Sequence, residues 1–248
     1  MANECCIGPI FFIIGLAMIY EGTRRFLLYQ KINNTPTSKV RAAAIGLVEL
    51  FGKAECREDM QSPVSGVRCA YWRLKCEYYV PGKHGGWRDM YNSHSSSKFF
   101  LEDETGKMLI EPDGAEIDIP PDYTSQGYLS PGGILGLMQR KTLDQKVFAF
   151  LERDPAAKAA FNSHSGYDQK VTESFIATDD PLYVLGTAVS WKEAELIVQK
   201  GKDGIMYISD SGERKAAEKV RNSVFWILGI GLVLSAIGLY VLLTSFGV

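Results

Sequence analysis

The feature that most constrains this chain is the uneven placement of its charged residues. Residues 5–20 and 224–248 carry no charged side chain, and all 27 Lys and Arg lie between these two runs. Glu4 is the one acidic residue outside them, which leaves 28 of the 29 Asp and Glu in the middle. A bilayer span needs about 20 mostly apolar residues. The sequence therefore predicts membrane helices at 5–22 and 224–246 on either side of a polar domain.

The first apolar run has a second interpretation, because a cleaved signal peptide is also short and apolar. Such a peptide begins with a positive segment and ends at a cleavage site of small residues. Here the only charge before the run is that of Glu4, and the segment IYEGTRR at its end contains no such site. We therefore predict an uncleaved anchor, and the lipid bilayer is the first expected partner.

Small residues recur along each run at a spacing that places them on one face of a helix. Small side chains let membrane helices approach closely, so either stripe could pack against another helix, including one from a second copy of the chain. The alternative is that Gly is simply frequent in membrane helices. The predicted packing positions are Gly8, Gly15 and Gly22 in the first run, and Gly231, Ser235 and Gly238 in the second.

Residues 44–209 have the pattern of a mainly β domain. The clearest strand is 68–80, where apolar and polar residues alternate as they do in an antiparallel sheet with one face in solvent. β pattern returns from residue 171 onwards. We predict a mainly β fold with α-helices, in which an antiparallel barrel or sandwich, with an OB-type barrel as one form, lies between the two membrane helices.

The stretch 122–168 interrupts this β pattern. It lacks β character, contains the Gly-rich segment 127–136, and shows helical spacing at 142–161, where Asp154 and Pro155 have the order that starts a second short helix. We predict a helical and loop insertion in the domain at about 122–168. Outside the domain, residues 23–43 are expected to form a juxtamembrane linker and 210–223 a polar juxtamembrane helix.

The stretch Lys98–Ile117, KFFLEDETGKMLIEPDGAEI, predicts a β-hairpin. Two short apolar strands flank the polar turn Asp103-Glu104-Thr105-Gly106, and Pro112-Asp113-Gly114 forms a second turn. Gly at the end of a hairpin loop supplies the backbone freedom that the turn requires. We interpret the carboxylates of this hairpin as structural or solvated, with a catalytic acidic loop as the alternative.

This hairpin resembles the segment F-x-L-x-D-x-T-G-x-x-x-V-x-P-x-G-A of the GIDE (BAM) domain family. NTPTSKVRAAAIGLVELFGKAE before it and DPLYVLGTAV after it are similar to the same family, so the resemblance covers most of 36–209. The family includes membrane-anchored RING-type E3 ubiquitin ligases and shorter prokaryotic relatives. The resemblance implies a RING-less, prokaryotic member and assigns structural or turn roles to Asp103, Thr105, Gly106, Gly114 and Gly186.

A RING would require eight Cys and His ligands in close pairs around two zinc ions. The chain has five Cys and three His, but it has no C-x-x-C, and Cys5 and Cys6 lie in the first apolar run. In the ligases the RING follows the second span, whereas this sequence stops at Val248. We therefore expect no metal site and no ligase activity from this chain alone.

Candidate catalytic groups are few. Ser93, Ser95, Ser96 and Ser97 lie beside His94, but no motif places them in a catalytic frame. The cysteines Cys69 and Cys76, on opposite faces of the predicted strand 68–80, and the histidines His84 and His164 have no partner at a ligand or catalytic spacing. The segment 131–136, PGGILG, lacks the Gly-Lys-Ser/Thr of a phosphate-binding loop. We predict no catalytic residue and no cofactor.

Exposed aromatic residues suggest a binding role instead. Tyr71, Tyr79, Trp87 and Tyr91 could form one aromatic face on the barrel and bind a peptide or a nucleotide. The residues between the apolar runs carry a net charge of −1, which argues against nucleic acid. The leading hypothesis is a binding or assembly module for an unknown protein. The alternatives are a family member that acts in ubiquitination and an OB-like ligand or nucleic-acid binder.

Positive residues predict the orientation in the membrane. Arg24, Arg25 and Lys31 follow the first run, and Lys215, Lys219 and Arg221 precede the second, all on the domain side. Lys and Arg near span ends are retained in the cytoplasm. We therefore expect a multi-pass protein of the cell membrane with a cytoplasmic domain and both termini outside. The mitochondrial relatives, whose domain lies in the intermembrane space, imply the opposite side.

Overall fold

The computed structural model of the chain describes residues 7–130, 141–191, 195–202, 204–210 and 213–245. The chain divides into two compact units, a helical unit made of residues 1–37 and 211–248 and a β unit made of residues 38–210. The predicted Gly-rich segment 131–136 and the first two residues of the predicted span 5–22 lie outside the described residues.

Five strands of the β unit close into a barrel. Their order is β2–β5–β6–β11–β10, and β10 pairs with β2 to complete the circle. Neighbours are antiparallel except β6 and β11, which are parallel. The five strands are β2 (Gly46–Glu55), β5 (Phe99–Asp103), β6 (Gly106–Ile110), β10 (Pro181–Ser190) and β11 (Leu196–Gln199). The predicted mainly β barrel is confirmed, and its strand number and closure resemble an OB-type barrel.

The barrel closes because alternate residues of its strands are apolar and share one interior. Val48, Leu50, Leu101, Ile110 and Val184 belong to one buried cluster, in agreement with the two-residue period of a strand. Close approach of β10 and β11 requires Gly186, where an added Cβ would lie 2.6 Å from Val198 Cγ1. Three short strands extend the barrel sheet: β1 (Thr37–Ser38), β7 (Glu116–Asp118) and β12 (Tyr207–Ser209).

A second sheet of four strands is antiparallel throughout, in the order β4–β3–β9–β8. Its strands are β3 (Cys69–Val80), β4 (Gly86–His94), β8 (Tyr123–Gly127) and β9 (Gln169–Ala177). The prediction that 122–168 lacks β character is wrong for 123–127. This segment, YTSQG, has almost no apolar alternation, and it becomes a strand because β9 pairs with its full length.

Two helices pack on one side of this sheet: α2 (Gln145–Arg153) and α3 (Pro155–Ser163). Val147, Phe150 and Phe161 from these helices form a buried cluster with Leu74 and Val171 of the sheet. The predicted start of the second helix is confirmed, because Pro155 is its first residue and Asp154 Oδ1 accepts a hydrogen bond from the Ala157 backbone N–H at 2.9 Å. Gln169 closes the other end by donating to the carbonyls of Phe161 and His164.

The helical unit consists of two long helices, α1 (Ile7–Asn34) and α4 (Glu213–Ser245). α1 continues to Asn34, so the first part of the stretch expected as a linker, 23–43, is helical. Glu21 forms salt bridges with Arg24 and Arg25 along this part of the helix. α4 runs without interruption through most of the expected polar helix at 210–223 and most of the expected span at 224–246.

Within the described residues, one stretch is long and apolar enough to cross a membrane. It is Ser223–Thr244 of α4, with 22 residues and a mean hydropathy of 2.4. In α1 the described part of the uncharged run extends only over Ile7–Tyr20, which is shorter than the roughly 20 residues that a span requires. The structure thus supports one membrane helix and leaves the expected second span as a proposal.

The small residues predicted as packing positions lie between α1 and α4. A Cβ added at Gly15 would be 2.5 Å from the backbone nitrogen of Ser235 and 2.8 Å from the carbonyl oxygen of Gly231. One added at Gly238 would be 2.4 Å from the backbone nitrogen of Phe12. Gly22 and Gly8 face Leu228 and Leu242 in the same way, at 2.5 and 3.2 Å. The two stripes therefore face each other within one chain.

Candidate functional site

The structure does not bring the four predicted aromatic residues onto one face. Tyr71 is 4% exposed and belongs to the barrel core. Tyr71 pairs with Ile176 of the neighbouring strand, and both belong to the buried cluster of the barrel, so this end of the sheet is covered and Tyr71 is not exposed. Tyr91 lies on the side of the sheet that packs on α2 and α3. Tyr79 and Trp87 remain together on the opposite side, with their ring centroids 5.5 Å apart.

That opposite side, which we call the open face, carries a polar cleft of about 420 Å³. Three strands contribute to it in register: Arg73 of β3 lies between His94 of β4 and Ser174 of β9, and Lys75 lies between Asn92 and Thr172. Ile119 and Pro121 border the cleft. The alternation of strand 68–80 predicts that Arg73 and Lys75 lie on its polar side. It does not predict that they pair with Ser174 and Thr172, about 100 positions later, because no local pattern specifies a distant strand partner.

The charges of the open face are only partly compensated. Lys75 forms salt bridges with Glu77 at 2.7 Å and Asp89 at 3.2 Å. Glu77 also pairs with Lys170 at 2.7 Å, and Lys170 lies 4.3 Å from the ring centroid of Trp87. Burial alone would raise the pKa of Glu77, but the hydrogen bonds from the two lysines outweigh it and lower that pKa.

Arg73 differs from the two lysines because it forms no salt bridge with any described residue. Its guanidinium makes one long hydrogen bond, 3.4 Å, to the carbonyl oxygen of Ile117. The side chain is exposed, and His94 on the neighbouring strand is exposed as well. An anionic group at this end of the cleft would therefore meet an uncompensated cation.

The other side of the sheet, which we call the helix side, has a smaller cleft of about 230 Å³. Aromatic, aliphatic and polar residues all contribute to its wall. The lining residues are Pro63, Trp72, Leu74, Tyr91, Ser93, Phe150, Arg153 and Asp154. Both clefts include Leu74 and Ser93 in their linings, so they lie against the same part of β3 and β4 from opposite sides of the sheet.

Polar contacts fix the wall of the helix-side cleft. Tyr91 Oη donates a 2.6 Å hydrogen bond to Asp154 Oδ2, and the Ala157 N–H, together with this bond, lowers the pKa of Asp154. Arg153 Nη2 donates to the carbonyl of Pro63 at 2.8 Å. The carboxylate of Glu173, which is fully buried, accepts from the backbone N–H groups of Val64 and Ser65. Glu173 is not among the residues predicted from the sequence, because a carboxylate between Thr172 and Ser174 gives no local sign of burial.

The acidic hairpin is structural. Asp103 Oδ1 accepts hydrogen bonds from the Thr105 N–H, the Thr105 hydroxyl and the Gly106 N–H, at 2.7, 2.6 and 3.1 Å. Its second oxygen accepts from the Val40 N–H at 2.9 Å, and Thr105 Oγ1 accepts from the Arg41 N–H at 3.0 Å. The Asp-x-Thr-Gly turn thus holds the segment that leads into the barrel.

The sequence pattern of the GIDE family, which is described as E3 ubiquitin ligase, matches residues 78–243. This range is more than half of the chain. The chain belongs to the GIDE family. No protein with a curated description and no solved structure matches it. The match begins at Tyr78, so the similar segment before the hairpin lies outside it, and it extends through most of α4.

Two further residues of the GIDE motif have clear structural reasons. Gly114 adopts φ +73°, a left-handed conformation that favours glycine, and its carbonyl accepts a 3.0 Å hydrogen bond from Lys200 Nζ. Gly186 permits the close strand approach described above. Neither residue lies in either cleft.

Several candidate nucleophiles of this GIDE domain are engaged in packing or hydrogen bonding, whereas Ser93 lines the two clefts. Burial raises the pKa of the Cys69 and Cys76 thiols to about 12, which keeps them protonated and poorly reactive. Ser95 is buried and its hydroxyl accepts from the Trp72 N–H at 3.1 Å. His164 stacks on Tyr78 at 4.0 Å. Among the described residues no three His, Cys, Asp or Glu side chains form a group that could hold a metal ion.

Proposed function

We propose that this GIDE-family chain is a membrane-anchored binding module whose β unit binds a protein partner. The observation that carries the proposal is the pair of clefts on the two sides of the four-stranded sheet, which share Ser93 in their linings. The helix-side cleft includes the aromatic rings of Trp72, Tyr91 and Phe150, and the lining of the open-face cleft consists mostly of polar residues. Concave surfaces with a few polar groups are the usual form of a recognition site. In contrast, the carboxylate of Asp103 and the thiols of Cys69 and Cys76 are engaged in hydrogen bonding or packing.

The same proposal includes the membrane arrangement. α4 supplies one span, and we propose that residues 5–22 supply a second, with the β unit on the cytoplasmic side and both termini outside. The positive residues beside the two runs support this orientation. Three cysteines of the β unit, Cys56, Cys69 and Cys76, are free, which is consistent with a reducing compartment.

A second candidate function follows from the family description. The partner could belong to a ubiquitination pathway. The module would then either present this partner to the enzymes that transfer ubiquitin or keep it away from them. A second copy of the chain is another candidate partner. Since the glycine stripes of α1 and α4 face each other, such a dimer would use other faces of these helices. Nucleic acid is not proposed, because the aromatic residues do not share one face.

A transfer assay separates a binding module from a ligase. The purified chain in nanodiscs is incubated with E1, a panel of E2 enzymes, ubiquitin and ATP, and conjugates are followed by immunoblot. We expect no conjugates above those formed without the chain, with an active RING ligase as the positive control. Conjugates that depend on this chain would contradict the proposal and favour the ligase hypothesis.

A further inference from the structure

We infer that the free edge of β4 binds an extended peptide as an additional strand, with an apolar side chain of the peptide on the helix side and acidic side chains on the open face. This inference rests on the proposed function and names the chemistry of its partner. A peptide added to a sheet edge gains main-chain hydrogen bonds, and pockets beside the edge select its alternate side chains.

The first observation is that β4 is the open edge of its sheet. β4 pairs with β3 only, and none of its backbone groups bonds with another described segment. The opposite edge strand, β8, is covered. The Tyr128 N–H next to it donates to the Lys141 carbonyl at 2.8 Å, the Leu143 N–H donates to the Tyr128 carbonyl, and the Asp144 N–H donates to Ser125 Oγ.

The second observation concerns the part of β4 that can accept a strand. The pairing of β3 with β4 shifts between Cys76 and Glu77, so a bulge interrupts the first half of β4 near Asp89. Bulges and charged residues commonly prevent a sheet edge from pairing with another strand. From Tyr91 to His94 the register is regular, and this half borders both clefts. Strand addition is therefore directed to Tyr91–His94.

The third observation is that the two clefts lie on opposite sides of this half-strand. Side chains of a strand alternate between the two faces. One side chain of an added strand would therefore enter the helix-side cleft, against Trp72, Tyr91 and Phe150. Its two neighbours in the peptide would point to the open face. The helix-side cleft, at about 230 Å³, has room for one apolar or aromatic side chain.

The charges of the open face indicate which peptide side chains fit beside the apolar one. On the open face, Arg73 is exposed and forms no salt bridge with a described residue, and His94, Asn92 and Ser174 add hydrogen-bonding groups beside it. Lys75, Glu77, Asp89 and Lys170 largely compensate one another. The uncompensated charge is thus positive, and it fits carboxylates on both sides of the apolar residue.

The test uses the full chain in nanodiscs and fluorescence anisotropy of a labelled peptide, Gly-Ser-Thr-Glu-Phe-Glu-Thr-Ser-Gly. The first comparison is with two N-methylated forms of the peptide, each blocking alternate backbone amides. Only one set of amides can face β4, so one form should bind at least about tenfold more weakly while the other is nearly unaffected. Equal binding by both forms, or no binding of the parent peptide up to about 1 mM, would overturn the inference.

The second comparison tests the open face by charge exchange. Arg73→Glu should weaken binding of the Glu peptide about fivefold and strengthen binding of its Lys counterpart. Lys83→Glu reverses a charge of the same sign in the exposed loop between β3 and β4, and it should leave both affinities unchanged. If Arg73→Glu and Lys83→Glu behave alike while both variants melt at the wild-type temperature, the assignment of the acidic positions is wrong.

These outcomes are independent of the transfer assay. Conjugates in that assay would contradict the proposed function whether or not the peptide binds. Failure of the peptide tests in a chain that forms no conjugates would remove the β4 site and leave the binding-module proposal standing.

Discussion

At the scale of single residues, Asp103 illustrates how a family motif position can be polar and structural at once. Its two carboxylate oxygens accept four hydrogen bonds, three within its own turn and one from the Val40 N–H. The neighbouring Glu104 is more exposed and its side chain pairs only with Lys39 among the described residues. Two adjacent carboxylates of the same turn are therefore expected to contribute very differently to stability.

We expect Asp103→Ala to lower the stability of the β unit by about 2 kcal/mol, because it leaves several backbone donors without an acceptor. Glu104→Ala, the matched control, should change it little, since exposed ion pairs contribute little. The measurement is the melting temperature of both variants in detergent, followed by circular dichroism. Equal losses in the two variants would show that the turn depends on overall charge and not on the Asp103 acceptor.

The same residue predicts a pH dependence. Burial alone would raise the pKa of Asp103, but the hydrogen bonds from Thr105, Val40 and Gly106 outweigh it and hold the pKa below its usual value of 3.8. A group whose pKa is lower in the folded state contributes stability at higher pH, and this contribution is lost as the pH falls below 3.8 through the folded pKa.

Asp103→Asn should therefore be less stable than wild type near neutral pH and should lose less further stability on acidification. Melting temperatures between about pH 6 and pH 2 measure this difference. Asp113→Asn, which changes an exposed carboxylate in the following turn, is the matched control. It should show the same change of melting temperature with pH as the wild type. If the melting temperature of Asp103→Asn changes with pH as much as that of the wild type, the role assigned to the Asp103 hydrogen bonds is wrong.

At the scale of elements, the pairing of α1 with α4 depends on small residues at close contact points. Gly15 lies against the backbone of Ser235, whereas an added Cβ at Gly229 would have no atom within 4 Å. Both glycines lie in apolar stretches of the helical unit. They form a matched pair of positions, which tests whether the pairing of α1 with α4 depends on the close contact at Gly15 or only on the presence of glycine.

We expect Gly15→Leu to separate the two helices, because no side chain fits 2.5 Å from a backbone atom. Gly229→Leu should preserve the pair. The melting temperature of the helical unit in nanodiscs, with limited proteolysis as a second readout, distinguishes the two variants. A stable Gly15→Leu variant with unchanged proteolysis would mean that α1 and α4 do not pack through this stripe.

At the scale of the whole molecule, the proposed sidedness of the β unit requires a reporter that the fold leaves accessible. Cys69 and Cys76 are buried with raised pKa values, so they cannot report it in the folded chain. Lys83 lies in an exposed loop between β3 and β4 and offers a suitable position.

We expect Lys83→Cys to react with a membrane-impermeant maleimide only after cells are permeabilised, and Val248→Cys to react in intact cells. The wild-type chain supplies the background from its own cysteines, and labelling is read as a gel shift. Reaction of Lys83→Cys in intact cells would place the β unit outside. Protection of Val248→Cys in intact cells would contradict the proposed position of the C-terminus.

Local patterns were sufficient to predict several elements. The alternation over 68–80 predicted β3, the turn residues around Gly106 predicted the hairpin of β5 and β6, and the Asp154–Pro155 pair predicted the start of α3. These features depend on neighbours within a few residues, and backbone preferences act at that distance. The uncharged run near the C-terminus likewise predicted the apolar part of α4, because hydropathy is a sum over consecutive residues.

What the sequence by itself determined is therefore most of the elements, with β8 as an exception, the mainly β class and the small residues of the helical stripes. The tertiary structure decided which elements meet. β8 is a strand only because β9 pairs with it. Tyr71 is buried because it packs with Ile176 in the barrel core, and the two clefts exist because β3, β4 and β9 lie in one register. These contacts join residues up to about 100 positions apart, and their energies depend on packing and pairing partners that no local pattern specifies.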